Sequence, residues 1–280
     1  RVYIEKEFNS KCKYIKFTRE KKIMKKKVLI FDIDGTILDL EKNIPEGVEE
    51  AFKQARENGH ITVIATGRAP FLAKAIVDQL QIDSYITYNG QIVQFEGKTI
   101  HKGVIDKEEL KKLSEFAALK DQPLVYMDSH EMVSNVPDHQ DVIESISTLK
   151  VGFPRQAENF YLNNDIHQAL VFCEEEVQEE YERAFPNLSF VRWHRVSCDV
   201  LPKGMSKAVG IEILLEYLGE TRQNAVAFGD GLNDVEMLKF VGTGVAMGNA
   251  VDELKKHATI VTEHVSENGL VNAMRQLKLI

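Results

Sequence analysis

Short apolar runs alternate with amphipathic stretches in two separate parts of the chain. The first part, from Lys27, contains the runs VLIF, ITVIA and SYIT, with helical patterns over residues 46–58 and 71–80. The second part, after Ser206, contains a helical pattern to Leu218, the runs AVAFG and GVAM, and further short helical stretches. Strands that are apolar throughout are typical of a parallel sheet covered by helices on both faces. We therefore expect one α/β domain with a Rossmann-like parallel sheet, formed by residues 24–89 and 199–280.

The segment between these parts has a different pattern. A hairpin is predicted from QIVQF and KTIHKGV, with a turn at Glu96 and Gly97, and a helix is predicted to begin at Asp106. The further strands predicted in this segment are PLVYM, HQALVF, LSFVRW and VSCDVL, and helices are expected between them. Hairpins mixed with helices favour a separate α+β unit, so residues 90–198 are predicted to be an inserted domain.

Charge is distributed unevenly along the chain. Residues 1–27 hold 11 Lys/Arg and three Glu, a net of +8, which leaves −16 for the remainder of a chain whose formal net charge is −8. Such an acidic body is a poor general binder of nucleic acid, whose phosphates need clustered cations. Residues 1–23 precede Met24 and are interpreted as a leader or N-terminal extension. A basic arm that binds nucleic acid or membrane is the less favoured alternative.

The cysteines and the apolar runs indicate where the protein works. Cys12, Cys173 and Cys198 are scattered and have no CxxC spacing, so neither a disulfide framework nor a structural zinc site is expected. No run of residues reaches the length of a membrane span, and no secretory apolar core follows the basic start. We expect a cytoplasmic protein with no membrane or nucleic-acid partner, either a monomer or a weak homodimer.

Several loops that follow predicted strands carry groups able to bind a metal or a phosphate. Asp32 and Asp34 end the first strand at i, i+2, so they lie on the same side and can hold a cation, although such residues also simply end strands in turns. Thr66, Gly67 and Arg68 follow the second strand and can cradle a phosphate or cap a helix. Ligands in open α/β sheets bind at the carboxyl ends of strands.

A third loop and a lysine complete this set. The loop FGDGLND places Asp230, Asn233 and Asp234 after another apolar strand. Lys207 begins the helix that leads into that strand, where it is either a surface charge or the cation that compensates carboxylates and phosphate. Each motif alone has an ordinary structural explanation. Their occurrence together at strand ends of one domain favours a site.

The segments FDIDGTIL, ATGR, LPKGMSKAVGI and FGDGLNDVEML together resemble the haloacid dehalogenase (HAD) superfamily, and most closely its Cof-like subfamily IIB phosphatases. The stretches TYNGQIV, GVAMGNAVDELKKHAT and ENGLVNAM also resemble that group, so the similarity extends from about Lys27 to the end of the chain. The resemblance implies a Rossmann-like HAD core with an inserted α+β cap. It also implies a Mg²⁺-dependent phosphatase that hydrolyses small phosphorylated metabolites, such as sugar phosphates, through an aspartyl-phosphate intermediate.

Residue roles follow from the same resemblance. The catalytic residues would be Asp32 as nucleophile, Asp34 as general acid/base and Lys207. The phosphate would be bound by Thr66, Gly67, Lys207 and Asn233. Mg²⁺ would be bound by Asp32, Asp34 and Asp230, with Asp234 in support, and Asn89 and Arg68 would lie near the substrate. Asp34 has to be protonated when it donates to the leaving oxygen. Crowding by the other carboxylates is expected to raise the pKa of Asp34.

Two other function classes remain open. A phosphosugar mutase shares the nucleophile and the acid/base, but typically carries a smaller cap between the first two motifs, where this chain has only residues 38–61. A noncatalytic phospholigand-binding protein would be expected to lack Asp32 or Asp34. The substrate is not predicted, and the cap residues that could contact it, or could instead be core or surface, are Tyr126, His130, Asn135, Tyr161, Trp193 and His194.

Overall fold

The structure is a computed structural model that describes residues 26–280. The predictions made for the N-terminal extension, Met24 and Cys12 lie outside the described residues. Within residues 26–280, no helix combines the length and the apolar character needed to cross a membrane.

The described chain folds into strands and helices in the order predicted from its apolar pattern. The strands are β1 Val28–Phe31, β2 Ile61–Ala65, β3 Tyr85–Thr87, β4 Ile92–Phe95, β5 Lys98–Lys102, β6 Leu124–Met127, β7 Met132–Ser134, β8 Arg155–Gln156, β9 Gln168–Phe172, β10 Leu188–His194, β11 Ser197–Pro202, β12 Ala225–Gly229, β13 Thr243–Ala246 and β14 Ile260–Val261. The helices are α1 Val48–Glu57, α2 Pro70–Gln79, α3 Lys107–Leu119, α4 Gln140–Ser147, α5 Phe160–Asn163, α6 Glu175–Ala184, α7 Lys207–Leu218, α8 Val235–Phe240, α9 Asp252–Lys255 and α10 Gly269–Gln276.

The larger sheet has eight strands in the order β14-β13-β12-β1-β2-β3-β4-β5. Its strands from β14 to β3 run parallel. The chain moves outward from β1 through β2 and β3 on one side, and through β12, β13 and β14 on the other. The order therefore reverses between β1 and β12, which is the position where open α/β sheets bind ligands.

Both faces of the larger sheet are covered, as its apolar strands predict. Phe31 and Phe228 stack with ring centroids 4.8 Å apart on the face that also packs against α1, α2 and α10. Ile30 and Ala227 face the other way and pack against Ile211 and other apolar side chains of α7 and α8. Alternate residues of each strand thus enter opposite cores, which fixes the strand register and the position of each strand's last residue.

The smaller sheet has six strands in the order β10-β11-β9-β6-β7-β8 and is antiparallel except for the β7–β8 pair. The 92–102 hairpin was predicted to belong to the insert, and this placement is wrong, because β4 pairs with β3 and so extends the larger sheet. The chain crosses from the larger sheet to the smaller one after Lys102 and returns after Pro202.

One face of the smaller sheet is turned toward the larger unit. Val125, Leu170 and Phe172 share an apolar cluster with Ala69 and Tyr88, which lie on the loops after β2 and β3. The opposite face packs on α3 and α6 through residues that alternate with these along the strands. The alternation therefore decides which side chains of the smaller sheet can face the carboxyl ends of β1, β2 and β12.

Candidate active site

Asp32 lies at the carboxyl end of β1, beside the end of β12. Its backbone N–H donates to the carbonyl of Phe228 at 3.0 Å. The chain then turns through Gly35, whose φ is +77°. A Cβ at Gly35 would also collide with the carboxylate of Asp230. Glycine is therefore needed here both for the positive φ and for the close approach of the two loops.

Three carboxylates converge at this position. Oxygen atoms of Asp32, Asp230 and Asp234 lie within 4.8 Å of one another. Asp234 has little capacity left to bind a ligand, because its Oδ2 accepts the backbone N–H groups of Asp230 at 2.9 Å and Gly231 at 3.0 Å, and its Oδ1 accepts from Lys207. Asp32 and Asp230 thus face the site, while Asp234 holds the β12 loop in place.

Lys207 is the cation at the centre of this cluster. It begins α7 and is fully buried, and its Nζ lies 2.6 Å from Oδ1 of Asp32 and 2.6 Å from Oδ1 of Asp234. Burial alone would lower the pKa of Lys207, but the two carboxylates outweigh burial and raise it. Lys207 is therefore a permanent positive charge that bridges the loops after β1 and β12.

One lysine does not compensate the whole cluster. Burial raises the pKa of Asp32 well above its ordinary range, with Lys207 opposing the shift and the neighbouring carboxylates adding to it. The pKa of Asp230 rises to about 7, first through burial and then through the charge of Asp234. An arrangement that makes deprotonated carboxylates this costly is suited to binding a cation.

Asp34 has a different environment from the one predicted. Arg68 donates two hydrogen bonds to its carboxylate, from Nε to Oδ2 at 2.7 Å and from Nη2 to Oδ1 at 2.6 Å. Lys42 donates a third, from Nζ to Oδ1 at 2.6 Å. Burial would raise the pKa of Asp34, but these hydrogen bonds and charges outweigh it and lower the pKa. The expectation that crowding raises this pKa is therefore wrong, because Arg68 and Lys42 donate hydrogen bonds directly to Asp34.

The loop after β2 carries the predicted phosphate-binding group. Thr66 is buried, and its Oγ1 accepts the backbone N–H of Arg68 at 3.1 Å, which holds the turn before α2. Asn89 lies against this loop in left-handed backbone, with φ at 50°. Its Oδ1 accepts from Nδ2 of Asn233 at 3.3 Å, so the loops after β2, β3 and β12 meet.

The comparisons agree with the geometry. Residues 29–274 match the family of haloacid dehalogenase-like hydrolases. This chain belongs to that family. It is thus a HAD-type hydrolase, and the predicted similarity to subfamily IIB is confirmed together with the Rossmann-like fold class.

Similar proteins are found along nearly the whole chain. The Bacillus subtilis protein named "Putative phosphatase YkrA" is 45% identical over 257 residues, which are 92% of this chain and 100% of that protein. A crystal structure from Geobacillus kaustophilus is 46% identical, has a TM-score of 0.86, and covers 91% of this chain and 100% of its own. The HAD subclass IIB sugar phosphatase BT4131 is 31% identical, with a TM-score of 0.82 and the same coverages.

The HAD motifs open onto a cavity of about 750 Å³ between the two sheets. The larger unit contributes Asp32, Asp34, Thr66 and Asp230 to the lining of this cavity. The smaller sheet contributes Trp193 and His194, two of the candidate cap residues named from the sequence. The other predicted cap contacts lie elsewhere. Tyr126 and Tyr161 are buried in the core of the smaller unit, Asn135 accepts the N–H of Leu124, and His130 lines a separate groove of about 470 Å³.

Residues not predicted from the sequence also contribute. Asp199 and Gln168 line the cavity from the smaller sheet, and Lys42 binds Asp34. Asn249 donates to the carbonyl of Gly35 at 2.8 Å and to Asp230 at 3.4 Å, which ties the loop after β13 to the site. Of these residues, Asp199 has a signal in the sequence. It is the one charged residue in the predicted strand VSCDVL, and a carboxylate in such an apolar strand is rarely buried without a partner.

Proposed function

We propose that the protein is a Mg²⁺-dependent phosphatase that hydrolyses small phosphorylated metabolites through an acyl phosphate (aspartyl-phosphate) intermediate on Asp32. The observation that supports the proposal most directly is the position of Asp32 at the carboxyl end of β1. There it is paired with buried Lys207, stands beside Asp230 and Asp34, and opens onto the cavity. Family membership supports the reaction class.

The donor set fits a magnesium ion. Carboxylate oxygens are the ligands that Mg²⁺ prefers, and the raised pKa values of Asp32 and Asp230 indicate uncompensated negative charge where the oxygens converge. Asp32, Asp230 and the backbone carbonyl of Asp34 would hold the ion, with Asp234 supporting the loop. When bound, the ion neutralises charge on the phosphate and on the attacking carboxylate.

The chain's own groups perform the bond changes. Lys207 engages Oδ1 of Asp32, and Oδ2 has no hydrogen-bond partner within residues 26–280, so Oδ2 is the oxygen we assign to attack on phosphorus. As the new P–O bond forms, the ester bond to the leaving oxygen breaks. Arg68 and Lys42 hold Asp34 ionised in this structure, so Asp34 must release one of these contacts and take up a proton from solvent before it protonates the leaving oxygen. Asp34 then takes a proton from the water that hydrolyses the acyl phosphate. Phosphate oxygens are bound by Thr66, the N–H of Gly67, Asn233 and Lys207.

Arg68 has a role in this proposal that differs from substrate contact. Its guanidinium holds both oxygens of Asp34, and its side chain is 13% exposed. A bidentate pair fixes the plane of the carboxylate. Arg68 is therefore assigned to orienting Asp34 toward the leaving oxygen, while Asn89 stays the predicted neighbour of the phosphate.

The smaller unit is proposed to act as a cap over the core. Its two connections to the larger unit, 103–106 and 203–206, are short, and Lys150 donates to the carbonyl of Glu41 at 2.5 Å across the two units. Motion about these linkers would admit substrate, and closure would exclude bulk water. A cytoplasmic location is part of the proposal, supported by the free thiols of Cys173 and Cys198.

The test is hydrolysis of p-nitrophenyl phosphate and of a panel of sugar phosphates, with Mg²⁺ and with EDTA. Asp32→Asn serves as the catalytic control. We expect turnover only in the wild type with Mg²⁺. Equal turnover in EDTA, or full activity of Asp32→Asn, would refute the mechanism.

A further inference from the structure

Asp199 is a buried carboxylate that the proposed chemistry does not use. It lies on β11 and is 7% exposed. Its neighbours Cys198 and Val200 pack into the core of the smaller unit, so Asp199 points to the opposite face and lines the cavity. A Cβ added to Gly67 would lie 3.3 Å from Asp199 Oδ2, which places the carboxylate against the predicted phosphate loop.

This carboxylate has too few partners for its burial. A carboxylate has about four acceptor positions. The structure supplies one hydrogen bond, from Nδ2 of Asn89 to Oδ2 at 2.8 Å, and no ion pair within the described residues. Burial raises the pKa of Asp199 to about 7 against the effects of Asn89 and Lys207. A donor group on a molecule in the cavity would satisfy the acceptor positions that remain.

The cations around the cavity are already engaged. Arg68 and Lys42 bind Asp34. Arg192 donates to Gln178 and to the backbone carbonyls of residues 173, 194 and 195. Arg195 pairs with Glu144 and Glu174. Arg192 has only neutral acceptors and His194 also lines the cavity, but within residues 26–280 no cation is hydrogen-bonded to Asp199. A second anionic group placed against Asp199 would therefore meet an unpaired negative charge.

The chemistry of Asp199 limits the groups that it can bind. Trp193 lines the same cavity from β10. When ionised, Asp199 can only accept hydrogen bonds. A hydroxyl group can donate to Asp199, whereas an ionised carboxylate or phosphate cannot.

We propose that Asp199 is a specificity-determining residue that accepts a hydrogen bond from a hydroxyl of the leaving group and disfavours leaving groups with a second negative charge. This inference rests on the proposed phosphatase function. It names the substrate class as monophosphates of neutral, hydroxyl-bearing molecules.

The test uses a series of three-carbon phosphates. Glycerol 3-phosphate carries two hydroxyls, n-propyl phosphate carries none, and 3-phosphoglycerate carries one hydroxyl and, in place of the terminal hydroxyl, a carboxylate. The ratios of kcat/KM within this series are measured for the wild type, for Asp199→Asn and for a control, Asp138→Asn, which removes an exposed carboxylate from the same unit. Ratios taken within one variant do not depend on the fraction of folded protein.

We expect the wild type to prefer glycerol 3-phosphate over n-propyl phosphate by about tenfold or more, as a hydrogen bond to a charged acceptor implies. Asp199→Asn should lose most of this preference and should use 3-phosphoglycerate better relative to glycerol 3-phosphate, while Asp138→Asn keeps the wild-type ratios. Unchanged ratios in Asp199→Asn overturn the inference, including the case where all three rates fall together because Asp199 only positions Asn89. If the wild type hydrolyses neither this series nor p-nitrophenyl phosphate, the proposed function itself is refuted, and the inference with it.

Discussion

Replacing Asp199 by Asn should stabilise the protein at alkaline pH. The pKa of Asp199 rises from its ordinary value of 3.8 to about 7, because burial penalises the ionised form and the hydrogen bond from Asn89 offsets only part of that penalty. Between these two pH values the folded protein binds a proton that the unfolded chain does not bind. A raised carboxylate pKa therefore costs stability as pH rises through this window. Asn is neutral throughout and can still accept from Asn89.

The size of the effect follows from the pKa difference. A gap of about three units corresponds to roughly 4 kcal/mol once pH exceeds both values. Between pH 5 and pH 8, the wild type should lose about 2–3 kcal/mol of unfolding free energy through this one group. The difference between Asp199→Asn and wild type should grow by that amount over the same range.

The assay is urea unfolding of wild type, Asp199→Asn and Asp138→Asn at pH 5 and pH 8 in EDTA. Subtracting wild type from each variant removes the titration of all other groups. Asp138 is exposed, so Asp138→Asn reports only the loss of a surface charge. A stability difference for Asp199→Asn that is equal at both pH values, or that shrinks as pH rises, would refute the argument from burial.

Three further predictions concern the core and the cavity wall. Mg²⁺ should raise the melting temperature of the wild type by binding the folded state, and Asp230→Asn should remove most of that shift in differential scanning fluorimetry; an equal shift in both proteins would exclude Asp230 as a ligand. Lys207→Met should lower the unfolding free energy by about 3–5 kcal/mol, because it leaves two buried carboxylates without their cation, and urea titration that finds no loss would contradict this pairing. Trp193→Ala should change the rank order of a sugar-phosphate panel, whereas Tyr126→Ala, in the core of the smaller unit, should lower stability and keep the ranking; the reverse pattern would be evidence against the cavity assignment.

The convergence of the core motifs was predictable because parallel strands end at one edge of the sheet. Asp32, Thr66 and Asp230 each follow an apolar strand, so the strand pattern alone brings them to the same edge. The partners of Asp34 were not predictable in this way. Lys42 lies in a loop after β1, and its approach to Asp34 depends on loop geometry that leaves no periodic signal.

The insert shows where local patterns stop being informative. The turn at residues 96–97 predicts that β4 and β5 pair with each other, but no local signal tells which sheet they join. Tyr126 was a candidate contact because of its chemistry, yet strand register points it into the core, while Asp199 reaches the cavity by the same rule. Register between distant strands is a property of the folded chain.

The central claim is that the phosphoryl group is transferred first to the carboxylate of Asp32 and then to water. Asp34→Asn should still be phosphorylated slowly but should release phosphate more slowly, because the group that activates water is lost. The measurement is rapid quenching of this variant with substrate, borohydride reduction of the acyl phosphate, and peptide mass spectrometry. We expect homoserine at position 32, absent in the Asp32→Asn/Asp34→Asn double variant. Phosphate found on a Ser, Thr or His side chain would contradict the account.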